Sequence, residues 1–236
     1  RSSMSLTPEE QAELEYLSKW DTDDRERVAC EGSLIEFLRC AWPHIGESGV
    51  FEVNWHHEVI ASYLEAVAYG DLRALVDNQP PRTTKTLLCS VAFPAWVWCQ
   101  PEERWGPLMG PHVKFFCLSY GATLAEEIAV KHRRLITGEW YQNHWGSRVK
   151  LLADQQSRTN FGNTAGGERL SNSIEGGLLG RGGDIQLIDD PHHTKGVESL
   201  LMRQATIDGM RSLTTRITDP RRSARVLIMQ RLHQCL

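Results

Sequence analysis

Arg73-Ala-Leu-Val-Asp-Asn78 runs straight into Gln79-Pro-Pro-Arg-Thr-Thr-Lys-Thr86, and further along Asp184-Ile-Gln-Leu-Ile-Asp-Asp-Pro191 repeats the theme of an apolar stretch ending in polar groups. The first stretch reads as a strand that delivers a tight turn. A phosphate-binding loop needs such a strand, backbone N–H groups facing the phosphates, a Lys to span them and a neighbouring hydroxyl for Mg²⁺. Lys85 and Thr86 fit the last two roles, with Gln79, Pro80, Pro81, Arg82, Thr83 and Thr84 forming the turn. In the pattern G-x-x-x-x-G-K-[ST] both glycines are replaced, by Gln79 and Thr84, so the loop alone also reads as a basic, Pro-containing surface turn leading into a helix.

The second segment adds weight to the nucleotide reading. A buried parallel strand is a near-continuous apolar run, and open α/β sheets place ligands at the carboxyl ends of such strands. Asp189 and Asp190 stand at that end. Of two such carboxylates the first would hold Mg²⁺ through its water shell and the second would orient or deprotonate an attacking water. Asp-Asp-Pro is also an ordinary helix start, in which the side chains cap and Pro191 takes the first helical position. Both readings are compatible with one structure.

Working outward, Thr7-Pro8-Glu9-Glu10 is a helix-start signature predicting a helix to about Trp20, and a second is predicted over Arg25–Ala41. These form a helical lead-in over 1–50, in which Arg1-Ser2-Ser3 before Met4 reads as an expression remnant. Trp55-His-His-Glu58 opens an amphipathic helix carrying Ile60, Tyr63, Leu64 and Val67. After the loop, a helix is predicted over Thr86–Trp98, kinked or ended by Pro94. Then follow a strand at Val113–Ser119, a helix at Ala122–Ile136, a short strand at Lys150–Leu152, and a Gly-rich stretch, Phe161–Gly183. That stretch is predicted to turn at Gly166-Gly167 and Gly176-Gly177. Asp184–Asp189 is the carboxylate strand, Gly196–Arg216 a helix and Ala224–Gln230 a last strand. Strands alternating with helices predict an α/β chain whose sheet is mostly parallel, doubly wound and flanked by helices.

The bulk properties narrow the function classes. At 236 residues, 41% hydrophobic and 24% charged, the chain is long and apolar enough for a full core. A net charge of −4 means that a DNA surface must be a local patch, such as Lys131, Arg133 and Arg134 or Arg216, Arg221, Arg222 and Arg225. Such runs are also commonly solvated faces. Six cysteines at 30, 40, 89, 99, 117 and 235 have no metal-ligand spacing and read as reduced, mostly buried thiols of an intracellular protein. The apolar run Leu87–Cys99 is broken by Ser90 and Pro94 and is too short for a bilayer. No signal peptide or membrane anchor is read.

A family resemblance rests on Trp55-His-His57, Pro80-Pro-Arg-Thr-Thr-Lys-Thr86, Gly180-Arg-Gly-Gly-Asp184, Leu187-Ile-Asp-Asp-Pro-His192 and Met229-Gln-Arg-Leu-His233. In order and spacing, from about residue 50 onward, the set resembles the ATPase half of the large terminase subunit of tailed bacteriophages. The resemblance implies an ASCE-type P-loop ATPase domain over 51–236 that uses ATP and Mg²⁺ to drive double-stranded DNA into a procapsid in the host cytoplasm. It further implies a homo-oligomeric ring partnered by portal protein and small terminase subunit, and a nuclease domain missing from this chain. By resemblance Arg82 reaches the γ-phosphate, Arg181 is a trans-acting arginine finger, Gln230 senses the γ-phosphate, and Trp55 and His56 hold the adenine. Thr84 in place of a small residue, and Asp190 where many relatives place Glu, depart from the pattern. Glu198, the other acid near the carboxylate strand, sits poorly for a general base.

Two other classes remain open in the sequence. One is a metal-dependent hydrolase using Asp189, Asp190, His192 and His193, although neighbours at a helix start point in different directions. The other is a nucleotide-independent DNA-binding or structural module with a degenerate phosphate loop.

Overall fold

The computed structural model describes residue 7 and residues 22–101, 106–174, 182–192 and 196–232, with the side chains of 155 and 156 left aside. The helix predicted from Thr7 to Trp20 and the second glycine turn therefore lie outside the described residues, as do Arg181 and His193. Seven strands form one sheet in the order β1-β7-β6-β2-β5-β4-β3. They are β1 (Ala74–Asn78), β2 (Lys114–Ser119), β3 (Leu151–Gln156), β4 (Asn160–Asn163), β5 (Glu168–Ser173), β6 (Ile185–Asp189) and β7 (Ala224–Met229). β1, β7, β6, β2 and β5 run parallel, while β4 and β3 add an antiparallel edge. The sheet is therefore mixed and mostly parallel, flanked by helices, in an α/β chain.

The helical segment before the sheet differs from the expectation of one helix over Arg25–Ala41. Two helices stand there, α1 (Thr22–Gly32) and α2 (Leu34–Ile45), separated at Ser33. Ser33 is extended (φ −152°, ψ 127°) and its side chain accepts from the Glu36 N–H. A hydroxyl that satisfies an orphan N–H of the next helix is the usual N-terminal cap, and here it restarts the helix. α3 (Trp55–Tyr69) is capped by Asn54, with His57 Nδ1 accepting from the Asn54 N–H at 3.1 Å. Ile60, Leu64 and Val67 of α3 are buried as the periodicity requires, but Tyr63 is half exposed.

The helix after the phosphate loop neither ends nor kinks simply at Pro94. It opens at Lys85, widens into a π turn over Leu87–Ala92, and continues as α4 (Phe93–Cys99). The Phe93 N–H bonds five residues back, to the Leu88 carbonyl, so the missing N–H of Pro94 is absorbed in one wide turn. Every residue from Leu88 to Cys99 is buried. α5 (Ala122–Thr137), α6 (Glu139–Trp145) and α7 (Leu200–Ser212) complete the helices, α7 running into a 3₁₀ turn at Leu213–Thr215 and so stopping short of the predicted Arg216.

Side chains of β2 alternate between two unequal cores. Phe115 and Cys117 join a large cluster with Phe37, Trp96, Tyr141 and Trp145, to which α1 and α2 also contribute Cys30, Leu34 and Leu38. Phe116 and Leu118 join a small one with Leu170, Ile174, Ile188 and Leu213. No residue of α7 is buried. Five cysteines, at positions 30, 40, 89, 99 and 117, are free thiols, and no helix among the described residues is long and apolar enough to cross a membrane.

Candidate functional site

The parallel registers set Asp77, Ile228, Asp189 and Ser119 in one row at the carboxyl ends of β1, β7, β6 and β2, with Asn78 and Met229 paired one residue further along β1 and β7. β7 lies between the strand that feeds the loop and the strand that carries the acids. The ladder runs on one residue past β1, with the Gln79 N–H bonded to the Met229 carbonyl at 3.0 Å. The loop then turns back on itself: Thr83 Oγ1 donates to the Pro80 carbonyl at 3.0 Å. Arg82 and Thr84 adopt left-handed conformations, φ 66° and 65°. Gly adopts such angles without strain, whereas a β-branched residue such as Thr does so at a cost. The departure at Thr84 is therefore real in the backbone as well as in the sequence.

From this turn Lys85 points inward, its side chain 7% exposed, and its Nζ lies 3.2 Å from Asp190 Oδ1 and 3.0 Å from Oδ2. Thr86 Oγ1 donates to Asp189 Oδ1 at 3.3 Å, and Ser90 Oγ, one turn further along the same helix, to Asp189 Oδ2 at 2.8 Å. Asp189 is almost wholly buried. Burial, reinforced by the adjacent Asp190 charge, pushes its carboxyl up to about 6, against the pull of Ser90, Lys85 and Thr86. Asp190 has φ 44°, a left-handed angle that Asp tolerates, and it turns its side chain to the loop side. The Gln230 N–H donates to Asp190 Oδ1 at 3.3 Å, so the end of β7 touches the second carboxylate.

The structure thus brings together Lys85, Thr86, Asp189, Asp190 and Gln230. Arg82 is exposed, and its side chain makes no hydrogen bond or ion pair among the described residues. Glu198 is likewise exposed. Trp55 and His56 lie at the start of α3, where they line a groove of about 610 Å³ with Val59, Tyr63, Val76 and Pro80. The groove reaches Gln79 and Thr83 of the loop, and Trp55 is 72% exposed on its wall. His57 is driven below the ordinary histidine range, first by burial and then by His56.

The oxygen donors at the site suit a hard divalent cation. Thr86 Oγ1 and Asp189 Oδ1 face one another across 3.3 Å, and Mg²⁺ prefers one or two such ligands with water completing its shell. No group of three or more His, Cys, Asp or Glu converges on a point among the described residues. His192 instead lines a separate cavity with Tyr120, Pro191 and Met202. Of the basic runs, Lys131 is paired with Glu47 at 2.6 Å and Arg225 Nε donates to Gln186 Oε1 at 2.9 Å.

Two groups around the acids escape the sequence reading. Ser90 looked like an interruption of an apolar run, yet its hydroxyl holds Asp189; its spacing of four from Thr86 on one helix is the signal. Arg169, on β5, is fully buried against the same helix and sends Nη1 to the Ser90 carbonyl at 2.8 Å. Nothing local in a Gly-rich hairpin marks it.

No family model and no curated protein matches the chain. Among solved structures, the crystal structure of the HK97 bacteriophage large terminase is similar, with a TM-score of 0.55 at 10% sequence identity. The similarity covers 84% of this chain and 37% of that one, so the chain spans little more than a third of the neighbour's length. At that identity the likeness is one of fold.

Proposed function

We propose that the chain is the ATPase motor domain of a viral large terminase, hydrolysing ATP to move double-stranded DNA into a procapsid. The observation that carries the reading is the pairing of Lys85 with Asp190 and Thr86 with Asp189 across the strand order β1-β7-β6. The fold likeness to a protein titled a large terminase supports it, as do the motifs of the sequence. The portal, the small terminase subunit, the homo-oligomeric ring and the host cytoplasm belong to the same reading.

In this mechanism backbone N–H groups of residues 79–84 receive the phosphates and Lys85 turns from Asp190 to the β and γ oxygens. Mg²⁺, when bound, neutralises charge on those oxygens and would be held by Thr86 Oγ1 and, through water, by Asp189. Asp190, released from Lys85, takes the proton of the attacking water or fixes its direction. Gln230, whose N–H already touches Asp190, reports the state of that carboxylate to β7. Trp55 and His56 supply a stacking wall for the base. Arg82 acts from the loop and Arg181 from a neighbouring subunit.

The test is ATP binding by calorimetry and hydrolysis with Mg²⁺, with and without double-stranded DNA. Wild-type protein binds ATP; Lys85→Ala loses productive binding; Asp190→Asn binds but turns over at least about a hundredfold more slowly, the scale of a lost positioned base. Near-normal affinity and turnover in a folded Lys85→Ala protein would end the phosphate-loop assignment.

A further inference from the structure

Pro94 has no N–H, so the carbonyl four residues earlier, that of Ser90, cannot take the ordinary α-helical bond from it. It accepts from Arg169 Nη1 at 2.8 Å. Arg169 is 1% exposed, and its Nε donates to Ser171 Oγ at 3.1 Å. Both partners are neutral, and a guanidinium taken out of water costs several kcal/mol unless its charge is answered. The carboxylate whose field reaches it is Asp189. Arg169 and Asp189 line one small cavity of about 10 Å³ with Ser90, Cys117 and Ser119, a volume that suits a single water. Ser90 is thus held at both ends, its carbonyl by Arg169 and its hydroxyl by Asp189. The other buried base nearby, His132, has no hydrogen-bond partner on either ring nitrogen among the described residues, and burial together with Arg169 drives it well below the ordinary range, so it adds no second charge.

We propose that Arg169 is a positioning residue for the nucleotide site: through Ser90 and through its own charge it holds the Asp189 carboxylate oriented and balanced to receive a divalent cation. The proposal rests on the nucleotide reading above. Lys85 does not fill this role throughout a cycle, because it leaves the acids for the phosphates; Arg169, buried between β5 and the phosphate-loop helix, stays. The proline in the phosphate-loop helix then has a purpose, since it frees the carbonyl by which the guanidinium is anchored.

ATP affinity is measured by calorimetry across a Mg²⁺ series and in EDTA for wild type, Arg169→Met, Arg169→Lys and Ser90→Ala, with circular dichroism reporting the fold. Losing an outer-shell support costs about 10–100-fold in metal affinity, so Arg169→Met should need that much more Mg²⁺ while its affinity in EDTA stays within roughly twofold. Arg169→Lys should recover part of the loss, and Ser90→Ala should shift Mg²⁺ dependence in the same direction as Arg169→Met. Equal losses in EDTA and in Mg²⁺, or a Lys variant no better than Met, make Arg169 a structural strut and overturn the proposal. Should Arg169→Met fail to fold, wild-type Mg²⁺ dependence in both Arg169→Lys and Ser90→Ala overturns it equally. Wild-type protein that binds ATP in neither buffer defeats the nucleotide reading and this inference with it, whereas intact binding with unchanged Mg²⁺ dependence in every variant defeats this inference alone.

Discussion

Thr84 and Asp189 each sit in a state that costs the fold free energy, and each cost is measurable. A left-handed conformation costs an L-residue about 1–2 kcal/mol, and Gly escapes it at a smaller entropic cost. Thr84→Gly should therefore stabilise the protein by about 0.5–1 kcal/mol and raise Tm by about 1–4 °C, with ATP affinity retained; a lower Tm in the melt would show that the φ of 65° is unstrained. Asp189 titrates at about 6 in the fold, against an ordinary value near 3.9. Between those values the folded protein keeps a proton that the unfolded chain has released. The stability this contributes is present below the ordinary pKa and is lost as pH rises through about 6. Asp189→Asn should then exceed wild type in stability by about 2–3 kcal/mol at pH 7.5, and the gap should close toward pH 4. The difference between the two proteins is the quantity to follow, because Asp77 and Glu65 are also pushed up by burial while His57, His132 and His192 are pushed down. A gap that does not vary with pH in thermal melts rejects the argument.

At the scale of elements, Ser33 is the hinge between α1 and α2. Ser33→Ala should cost about 1 kcal/mol, the usual loss for a cap, visible as a Tm lower by about 2–4 °C; no change would mean that packing alone restarts α2. This break was written in Gly32-Ser33 followed by Glu36, and a reading led by apolar periodicity passes over it. β2, β6, β7 and α5, and the start of α3, were legible to within a residue or two because each is a strongly apolar or strongly periodic run. β3 was read too short: it carries polar residues such as Asp154 and pairs on one side only, with β4. The π turn was legible as trouble at Pro94 but not as its remedy, which depends on Arg169 arriving from β5. The same division holds at the site. The juxtaposition of Lys85 and Thr86 with Asp189 and Asp190 follows from loop and strand-end logic, whereas the Ser90 and Arg169 contacts arise from tertiary packing, which has no local signature.

Among its described residues the molecule is lopsided. One face of the sheet carries the large core and the other a small cluster under α7, none of whose residues is buried. Opening free energy follows buried apolar contact, so amides of α7 should exchange with solvent orders of magnitude faster than those of β2 and β6 in native-state hydrogen exchange; protection in α7 equal to the central strands would contradict that. A second consequence lies in the threading of β7. Among the described residues β1 has no other strand beside it, and Asn78 pairs with Met229, far along the chain. During synthesis β1 and its loop therefore leave the ribosome long before the strand that joins them to the sheet, and a pairing so distant in sequence forms slowly. A polypeptide halted short of Ala224 has both halves of the site but no strand to set Lys85 against Asp190. Interrupted translation would thus yield fragments in which the two halves of the candidate site, Lys85 and Asp190, are both present but never held together.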